Sequence, residues 1–361
     1  MQTGMRTQQS PLPAGRHLPA TAAHPFSHLP FQASRVSSPM QVATDERQVA
    51  QLIPVIDVGP FIRGEAGAKD VVRAIEAAAR DTGFFLATGH NVSPEVTSRL
   101  YGLARAYFDL PEEYKRAHGR GTGVAGGVAF SPIADEALAA TKGIQTPGDY
   151  KESLNFGVRL PGDAWPGRPE GLEQAFRDYF AEMETLARHL RRIFASAIGL
   201  EPDHFEPAFE NHLSALRVIN YPEQEESPLP GQMRAGIHTD YGFMTILRSE
   251  ASSGGLQVQS RDGRWIDAPS IDGAYVINIA DAFMRWTNDE WVSTPHRVAN
   301  PPREKKGTSR RQSIPFFVNP GKDTVISCLE PFCSGGKQAK YEPITYGDYI
   351  NLKTSQAFGK K

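Results

Sequence analysis

The stretch GLQVQSRDGRWIDAP, residues 255–269, contains two short runs of β-type residues separated by Asp262-Gly263. An Asp-Gly pair between two such runs is typical of a tight β-hairpin. Similar short runs surround this hairpin at near-regular spacing: LSALRVINY (213–221), FMTILRSE (243–250), AYVINIA (274–280), TPHRVA (294–299), QSIPFFVNP (312–320) and TVISCL (324–329). This succession predicts a β-sandwich or barrel of the jelly-roll kind from about Leu213 onward.

The chain before Leu213 is dominated by helical periodicity. Residues 168–199 place apolar side chains along one face of a long helix, and a second helix is predicted from the Ser93-Pro94 cap to about Tyr107. The expected fold is therefore mainly β with flanking helices. We expect one catalytic domain over residues 49–361, with a helix-rich part (49–212), a jelly-roll core (213–320) and a C-terminal segment near the site (321–361).

Residues 1–48 have a different composition from the rest of the chain. They contain six prolines and no acidic residue before Asp45. Such a segment buries too little apolar surface to offset the entropy of ordering, so we predict a disordered tail. An alternative is that translation starts at Met40, which an intact Met1–Pro39 segment in the mass spectrum of the native protein would contradict.

Charge and cysteine content favour a small-molecule partner. The formal net charge is −2, so the chain lacks the basic field expected of a protein that binds nucleic acid or an anionic membrane. No apolar run approaches the roughly 20 residues that span a bilayer. The two cysteines, Cys328 and Cys333, are too few for a disulfide scaffold, which favours a reduced, cytoplasmic setting.

His238 and Asp240 are candidate metal ligands, because side chains at positions i and i+2 of a strand point to the same face. The same spacing of a histidine and a carboxylate recurs at His204-Phe205-Glu206. This segment is predicted to be a short helix, in which the two side chains diverge. A third candidate, His296, falls on a later strand. Two histidines and one carboxylate on one face of an ion are typical of non-heme Fe(II) oxygenases, whereas zinc hydrolases more often use tetrahedral ligation.

Arg311 and Ser313 form a second i, i+2 pair, in the run RRQSIPFF. A guanidinium fork and a hydroxyl that project together suit the far carboxylate of a dicarboxylic acid. Arg310 is the competing residue, but it is predicted to point to the opposite face from Ser313. The alternative for Arg311 is an exposed side chain that continues the basic loop before it.

These motifs, in this order, resemble the isopenicillin N synthase-like group of Fe(II)/2-oxoglutarate-dependent dioxygenases. The resemblance runs from IPVIDVGPF (53–61) through HTDYGFMTIL (238–247) to RQSIPFF (311–317). It implies a double-stranded β-helix, and a requirement for Fe(II), 2-oxoglutarate and O2. His238, Asp240 and His296 would then bind iron, Arg311 and Ser313 would hold 2-oxoglutarate, and Tyr221 would point toward that cosubstrate.

The resemblance also implies a reaction class, which is oxidation of a C–H bond with release of succinate and CO2. Hydroxylation is the default outcome, and desaturation or ring closure would need the same residues. The substrate is expected to contact residues 118–150, the start of the core strands at Phe243, and the segment after Pro331. Two rival functions remain open, a 2-oxoglutarate-independent oxidase with the same triad and a non-catalytic binding protein.

Three positions depart from the family pattern without removing a ligand. Ala280 stands where many members have glycine in an N-x-G-D motif, and Asn288-Asp289 replaces the usual Asn-Gly pair. Ile219 stands where plant members often carry asparagine. We expect these departures to affect loop geometry and substrate shape rather than the reaction class.

Overall fold

The computed structural model describes residues 42–43, 52–119, 128–157, 165–250, 255–302, 304 and 307–357. Most described strands belong to two sheets. The larger sheet has the spatial order β2 (Val55–Asp57), β3 (Phe84–Thr88), β11 (Tyr275–Ile279), β8 (Met244–Ser249), β13 (Arg311–Val318), β6 (Ala215–Tyr221), β5 (Glu152–Gly157) and β4 (Val128–Ser131). The smaller sheet has the order β1 (Val42–Ala43), β10 (Trp265–Asp267), β9 (Leu256–Gln259), β12 (His296–Val298) and β7 (Ala235–His238), and β14 (Val325–Ile326) pairs with β15 (Ile344–Thr345).

The described helices precede, interrupt and follow these strands. They are α1 (Gly59–Ile62), α2 (Ala68–Asp81), α3 (Pro94–Phe108), α4 (Glu112–Arg116), α5 (Leu172–Ala197), α6 (Glu206–Phe209), α7 (Asp281–Trp286), α8 (Glu330–Cys333) and α9 (Tyr346–Ala357), with a 3₁₀ turn at Leu138–Lys142. No helix in the described part of the chain has the length and apolar composition needed to cross a membrane.

The larger sheet has two different faces. One face packs against α5, and Leu216, Val218 and Phe316 share a cluster of fully buried residues with the apolar stripe of that helix. The other face meets the smaller sheet through a second apolar cluster, in which Phe84 and Val258 come from opposite sheets. Because strand side chains alternate, the residues between those on the helix-packed face are left to line the space between the sheets.

The predicted tail is mostly outside the described residues, with one exception. Val42–Ala43 forms a two-residue strand that pairs in parallel with Trp265 and Ile266 of β10. The pairing adds backbone hydrogen bonds at the edge of the smaller sheet, which a composition argument cannot detect. The disorder of residues 1–48 stays a prediction, and Val42–Ala43 are the residues of this segment that the structure describes.

The departures from the family pattern are accommodated by the local backbone. Ala280 has an extended conformation, with φ −111° and ψ 169°, so its Cβ causes no strain. Asn288 and Asp289 both have positive φ, at 54° and 65°. Asn and Asp adopt this left-handed region more readily than most residues with a side chain, so the turn forms without glycine.

Candidate metal centre

The pairing of β7 with β12 brings two histidines together. The two strands are antiparallel, and His238 and His296 are directly opposite in their register. Asp240 follows the end of β7. The ligand atoms of these three side chains all lie within 4.8 Å of one another, and among the described residues they form the one such group of three. Glu206, the carboxylate of the His204-Phe205-Glu206 segment, instead accepts hydrogen bonds from Nε and Nη2 of Arg191, both at 2.9 Å.

Each histidine is oriented by a hydrogen bond on its far nitrogen. Nδ1 of His238 lies 2.7 Å from the carbonyl oxygen of Gly236, and Nδ1 of His296 lies 3.1 Å from that of Thr294. A carbonyl oxygen can only accept, so Nδ1 carries the proton in both rings. The lone pair of each Nε2 is therefore available to a metal ion.

Asp240 is held so that one oxygen is left for a metal ion. Its Oδ2 accepts hydrogen bonds from Thr245 Oγ1 at 2.5 Å and from Asn278 Nδ2 at 2.8 Å. Its Oδ1 lies 3.9 Å from Nε2 of His296. The arrangement fits a carboxylate that binds a metal through one oxygen while the other is fixed by the protein.

Sequence reasoning did not identify Thr245 and Asn278 as part of the site. They are paired residues on the adjacent strands β8 and β11, and each is only 3% exposed. Both interrupt otherwise apolar strand runs. A buried polar residue in such a run needs a hydrogen-bond partner, and this was the signal that could have marked them.

Burial and mutual proximity set the protonation states of the metal-free site. Burial, with a smaller contribution from the neighbouring His296, lowers the pKa of His238 to about 3. For Asp240 burial acts in the opposite direction, yet the two histidines and the hydrogen bonds from Thr245 and Asn278 lower its pKa. A neutral His238 and an ionised Asp240 are the states that bind a divalent cation without first losing a proton.

The triad opens into a cavity of about 370 Å³ between the two sheets. The smaller sheet contributes Ala235, Leu256 and Val298 to its wall, and three further groups of residues complete it. The larger sheet contributes Tyr221, Arg311, Ser313 and Arg217 among others, the loop before β5 contributes Glu136, Ala137 and Leu138, and α9 contributes Tyr346 and Ile350. The last two groups lie in residues 118–150 and in the segment after Pro331, both of which were expected to contact the substrate, although residues 120–127 are outside the described part.

Arg311 lines this cavity, and the structure gives it no ion pair with a described residue. The residue is 2% exposed, and its Nε and Nη1 have no hydrogen-bond partner in the described structure. Its guanidinium carbon lies 4.9 Å from the centre of the Tyr221 ring. A buried guanidinium without an acceptor is costly, so this group fits a ligand carboxylate.

The side chain of the neighbouring Arg310 points away from the cavity. Arg310 donates to Asp109 at 2.7 Å and to Asn220 at 3.1 Å, and it does not line the cavity. Ser313, two residues after Arg311, lines the cavity and is 1% exposed. Arg311 and Ser313 of β13 thus both line the cavity, as strand alternation predicts, while Arg310, just before the strand, points away.

Phe243 lies elsewhere. Its ring is fully buried among aromatic side chains of the core, 4.2 Å from the ring centre of Phe283 and 5.1 Å from that of Phe205, and it is absent from the cavity wall. Met244, the first residue of β8, belongs to the same core cluster, so these two successive side chains do not alternate. The cavity wall gives no support to the prediction that Phe243 contacts the substrate.

Comparison with protein-family models gives two matches. Residues 213–320 match the 2OG-Fe(II) oxygenase superfamily. Residues 53–176 match the N-terminal region described as non-haem dioxygenase in morphine synthesis. The two matched segments correspond to the jelly-roll core and to the helix-rich part before it.

Individual proteins resemble the chain over most of its length. A 2-oxoglutarate-Fe(II) type oxidoreductase of Aspergillus fumigatus is 30% identical, over 82% of this chain and 90% of that protein. The 2-oxoglutarate-Fe(II) type oxidoreductase hxnY of Emericella nidulans is 29% identical, over 85% of this chain and 90% of that protein.

A solved structure extends the resemblance to the fold. Neurospora crassa T7H in complex with alpha-KG superposes with a TM-score of 0.75 at 30% identity, over 84% of this chain and 96% of that chain. The same protein has also been solved with alpha-KG and thymine. The jelly-roll core with an N-terminal helical region, predicted from the sequence, is thereby confirmed.

Proposed function

This chain belongs to the 2OG-Fe(II) oxygenase superfamily, and from that premise we propose that it hydroxylates a C–H bond of a small-molecule metabolite. It is a 2-oxoglutarate- and Fe(II)-dependent oxygenase, and it requires Fe(II), 2-oxoglutarate and O2. When bound, Fe(II) supplies the redox chemistry with O2, and 2-oxoglutarate leaves as succinate and CO2.

We assign His238, Asp240 and His296 to Fe(II). The observation that carries the proposal is the approach of their ligand atoms to within 4.8 Å, in a cavity that also holds the unpaired guanidinium of Arg311. Two nitrogens and one carboxylate oxygen are a donor set that suits Fe(II) and leaves other positions open. The hydrogen bonds at the far nitrogens of the histidines keep these ligands from rotating.

Arg311, Ser313 and Tyr221 are assigned to the distal carboxylate of 2-oxoglutarate. Arg311 would donate to both carboxylate oxygens, and Ser313, on the same face of β13, would add a hydroxyl donor. Tyr221 lies opposite Arg311 in the pairing of β6 with β13, and its ring packs against the guanidinium. Their burial excludes water, which strengthens these interactions.

The substrate would occupy the rest of the cavity. Its volume of about 370 Å³ admits a compact molecule beside the cosubstrate. The Neurospora crassa neighbour solved with alpha-KG and thymine supports a small substrate of this scale. Leu138 and Ile350 would cover the substrate from the loop before β5 and from α9.

The proposal is tested with an adjacent pair of arginine variants. Arg311→Met should weaken 2-oxoglutarate binding by roughly 10-fold to 100-fold, since a charge-assisted bond to a buried carboxylate is lost. Arg310→Met is the matched control, because its side chain leaves the cavity for Asp109 and Asn220. Calorimetric titration of the anaerobic Mn(II)-loaded protein measures both affinities.

Admitting O2 to the Fe(II) protein then separates the rival functions. Succinate formation that requires 2-oxoglutarate and stops in His238→Ala supports the proposal. Oxidation of a substrate without 2-oxoglutarate would instead identify an oxidase whose Arg311 holds the substrate's own carboxylate. Equal 2-oxoglutarate affinity in Arg311→Met and the parent protein would contradict the assignment of that residue.

A further inference from the structure

Arg217 belongs to a cluster of buried charged side chains at the end of the cavity away from Arg311. Its Nη1 and Nη2 donate to the two carboxylate oxygens of Glu136 at 2.9 and 3.1 Å. Lys151 lies 3.4 Å from Glu136 and 3.0 Å from Asp149. The side chains of Arg217, Glu136 and Lys151 are 16%, 7% and 4% exposed, and all three residues line the cavity.

The loop that contributes Glu136 is fixed in place. Its ends are joined by hydrogen bonds from the amide of Ala134 to the carbonyl of Asp149, at 3.1 Å, and from the amide of Asp149 to the carbonyl of Glu136, at 2.7 Å. The Asp149 carboxylate also accepts from the amide of Gly236 in β7, at 3.0 Å. Glu136 and Arg217 therefore face the cavity as part of its wall.

This cluster is separate from the place assigned to 2-oxoglutarate. Arg217 and Tyr221 are four residues apart on the same face of β6, a separation of about 13 Å along the strand. Tyr221 is opposite Arg311, so Arg217 marks the other end of the strand pair. A group that contacts Arg217 would belong to a second molecule in the cavity.

Among the described residues, the formal charges of the cluster balance. Two cations, Arg217 and Lys151, face two carboxylates, Glu136 and Asp149. A ligand carboxylate added here would leave one buried negative charge in excess, and a ligand ammonium would leave one positive charge in excess. In both cases the burial of the excess charge costs free energy, which no residue of the cluster offsets.

Arg217 nevertheless retains donors. A guanidinium has five N–H hydrogens. Within the described part of the chain three are used, two toward Glu136 and one from Nε toward Asn155. The two others can be given to a neutral acceptor such as a carbonyl oxygen without any change in net charge. Phe317, whose ring centre lies 5.9 Å from the Arg217 guanidinium carbon, adds an apolar wall beside these donors.

We propose that Arg217 and Glu136 form the substrate-recognition end of the cavity, and that the substrate is a compact, uncharged molecule with an amide-type carbonyl that accepts from Arg217. This inference rests on the proposed function, because it places the substrate beside the assigned iron and cosubstrate. It adds a substrate class and a recognition residue, while Leu138, Phe317 and Ile350 would enclose the apolar part of the molecule.

The test uses matched probes that share a ring and differ in the neutral, anionic or cationic group attached to it. For each of three rings, benzene, pyridine and cyclohexane, the carboxamide, the carboxylate and the aminomethyl derivative are compared. Saturation-transfer NMR ranks their binding to the full chain loaded with Zn(II) and 2-oxoglutarate. We expect the carboxamides to bind most tightly, and Arg217→Met to weaken them by about 10-fold to 100-fold.

Two variants separate recognition from folding. Arg217→Lys keeps a cation beside Glu136 but removes the planar fork, so carboxamide binding should fall while the fold is kept. Arg248→Met is the matched control, because Arg248 also lies on a strand of the larger sheet but bonds Asp272 outside the cavity. It should leave the ranking of the probes unchanged.

Tighter binding of the carboxylates or the amines, or carboxamide affinity unchanged in both Arg217 variants, would overturn the inference. So would the absence of any probe binding in the millimolar range. Failure of the proposed function would be seen separately, as 2-oxoglutarate affinity that is insensitive to Arg311→Met. The Arg217 variants should bind 2-oxoglutarate like the parent protein.

Discussion

Asp240 depends on two neighbours for its orientation, and this gives a prediction at the scale of single residues. Asn278→Ala and Thr245→Val each remove one hydrogen bond to Oδ2. The freed carboxylate can then rotate or bind a metal in another geometry. We expect Mn(II) affinity to fall by roughly 10-fold to 100-fold in each variant, the range typical of lost partners of metal ligands. Isothermal titration with Mn(II) measures the change.

A threonine far from the cavity provides the control for this pair. Thr185→Val alters an exposed hydroxyl on α5 that bonds the carbonyl of Ala181, and Mn(II) affinity should not change. Parent-like Mn(II) affinity in both Asn278→Ala and Thr245→Val would show that these hydrogen bonds do not orient Asp240.

Some candidate ligands could be predicted from short-range rules. The i, i+2 spacings of His238 with Asp240 and of Arg311 with Ser313 are those of side chains on one face of a strand. The approach of His296 to His238 depends instead on the pairing of β12 with β7, which local patterns do not encode. Their assigned roles remain proposals. The burial of Phe243 depends on packing against distant helices.

Gly236 connects two elements, the strand β7 and the loop that carries Glu136. A Cβ at this position would lie 2.9 Å from the amide nitrogen of Ala139 and 3.0 Å from its Cβ. Gly236→Ala should therefore push the loop from the strand and lower the free energy of unfolding by about 1–3 kcal/mol, as overpacking does. Urea titration followed by circular dichroism measures this loss.

The position of Gly236, two residues before His238, adds a second readout. The displaced strand should also weaken Mn(II) binding, because Gly236 accepts the hydrogen bond from Nδ1 of His238. A variant with parent-like stability would show that the loop can move at no cost, and that the contact with Ala139 does not fix the cavity wall.

A glycine in another element gives a prediction of opposite sign. Gly102 lies inside α3, and a Cβ there would meet no atom within 4 Å. Gly102→Ala should raise the free energy of unfolding by about 0.5–1 kcal/mol, because alanine loses less backbone entropy in a helix. The same urea titration measures it, and a decrease would contradict the open environment described for this residue.

For the helices and strands, most predictions came from the periodicity of apolar residues along the sequence. The apolar stripe of α5 and the short β-type runs were readable because each spans several repeats of its own period. The loop before β5 was recognised only as a candidate active-site segment. Its placement depends on Asp149 reaching Gly236, a contact between residues 87 positions apart that local patterns do not encode.

For the whole molecule, the sequence predicted a single domain over residues 49–361, and this remains a prediction. Buried polar contacts join a helix of its first part to two strands of the larger sheet. Lys115 of α4 donates to Glu152 of β5 at 2.7 Å, and Glu152 accepts from Asn220 of β6 at 2.8 Å. Such long-range pairing follows from the register of β5 with β6, which composition and periodicity do not specify.

This buried pair gives a test of whether α4 and the larger sheet unfold together. Lys115 is 6% exposed and Glu152 4% exposed, so Lys115→Met leaves a buried carboxylate without its cation. We expect a loss of about 3–5 kcal/mol in the free energy of unfolding. Lys115→Met combined with Glu152→Gln should recover part of it, because no uncompensated charge remains. Arg73→Met, which breaks the exposed pair with Asp70, should cost less than about 1 kcal/mol.

The shape of the unfolding transition tests whether residues 49–361 form one domain. If residues 49–361 unfold as one unit, fluorescence and far-ultraviolet circular dichroism should give coincident transitions in the parent protein and in Lys115→Met, shifted together to lower urea. Two transitions, with only the earlier one shifted, would mean that α4 and its neighbours unfold independently of the jelly roll. The site would then stand on the core strands alone, since His238, Asp240 and His296 all come from the jelly-roll region.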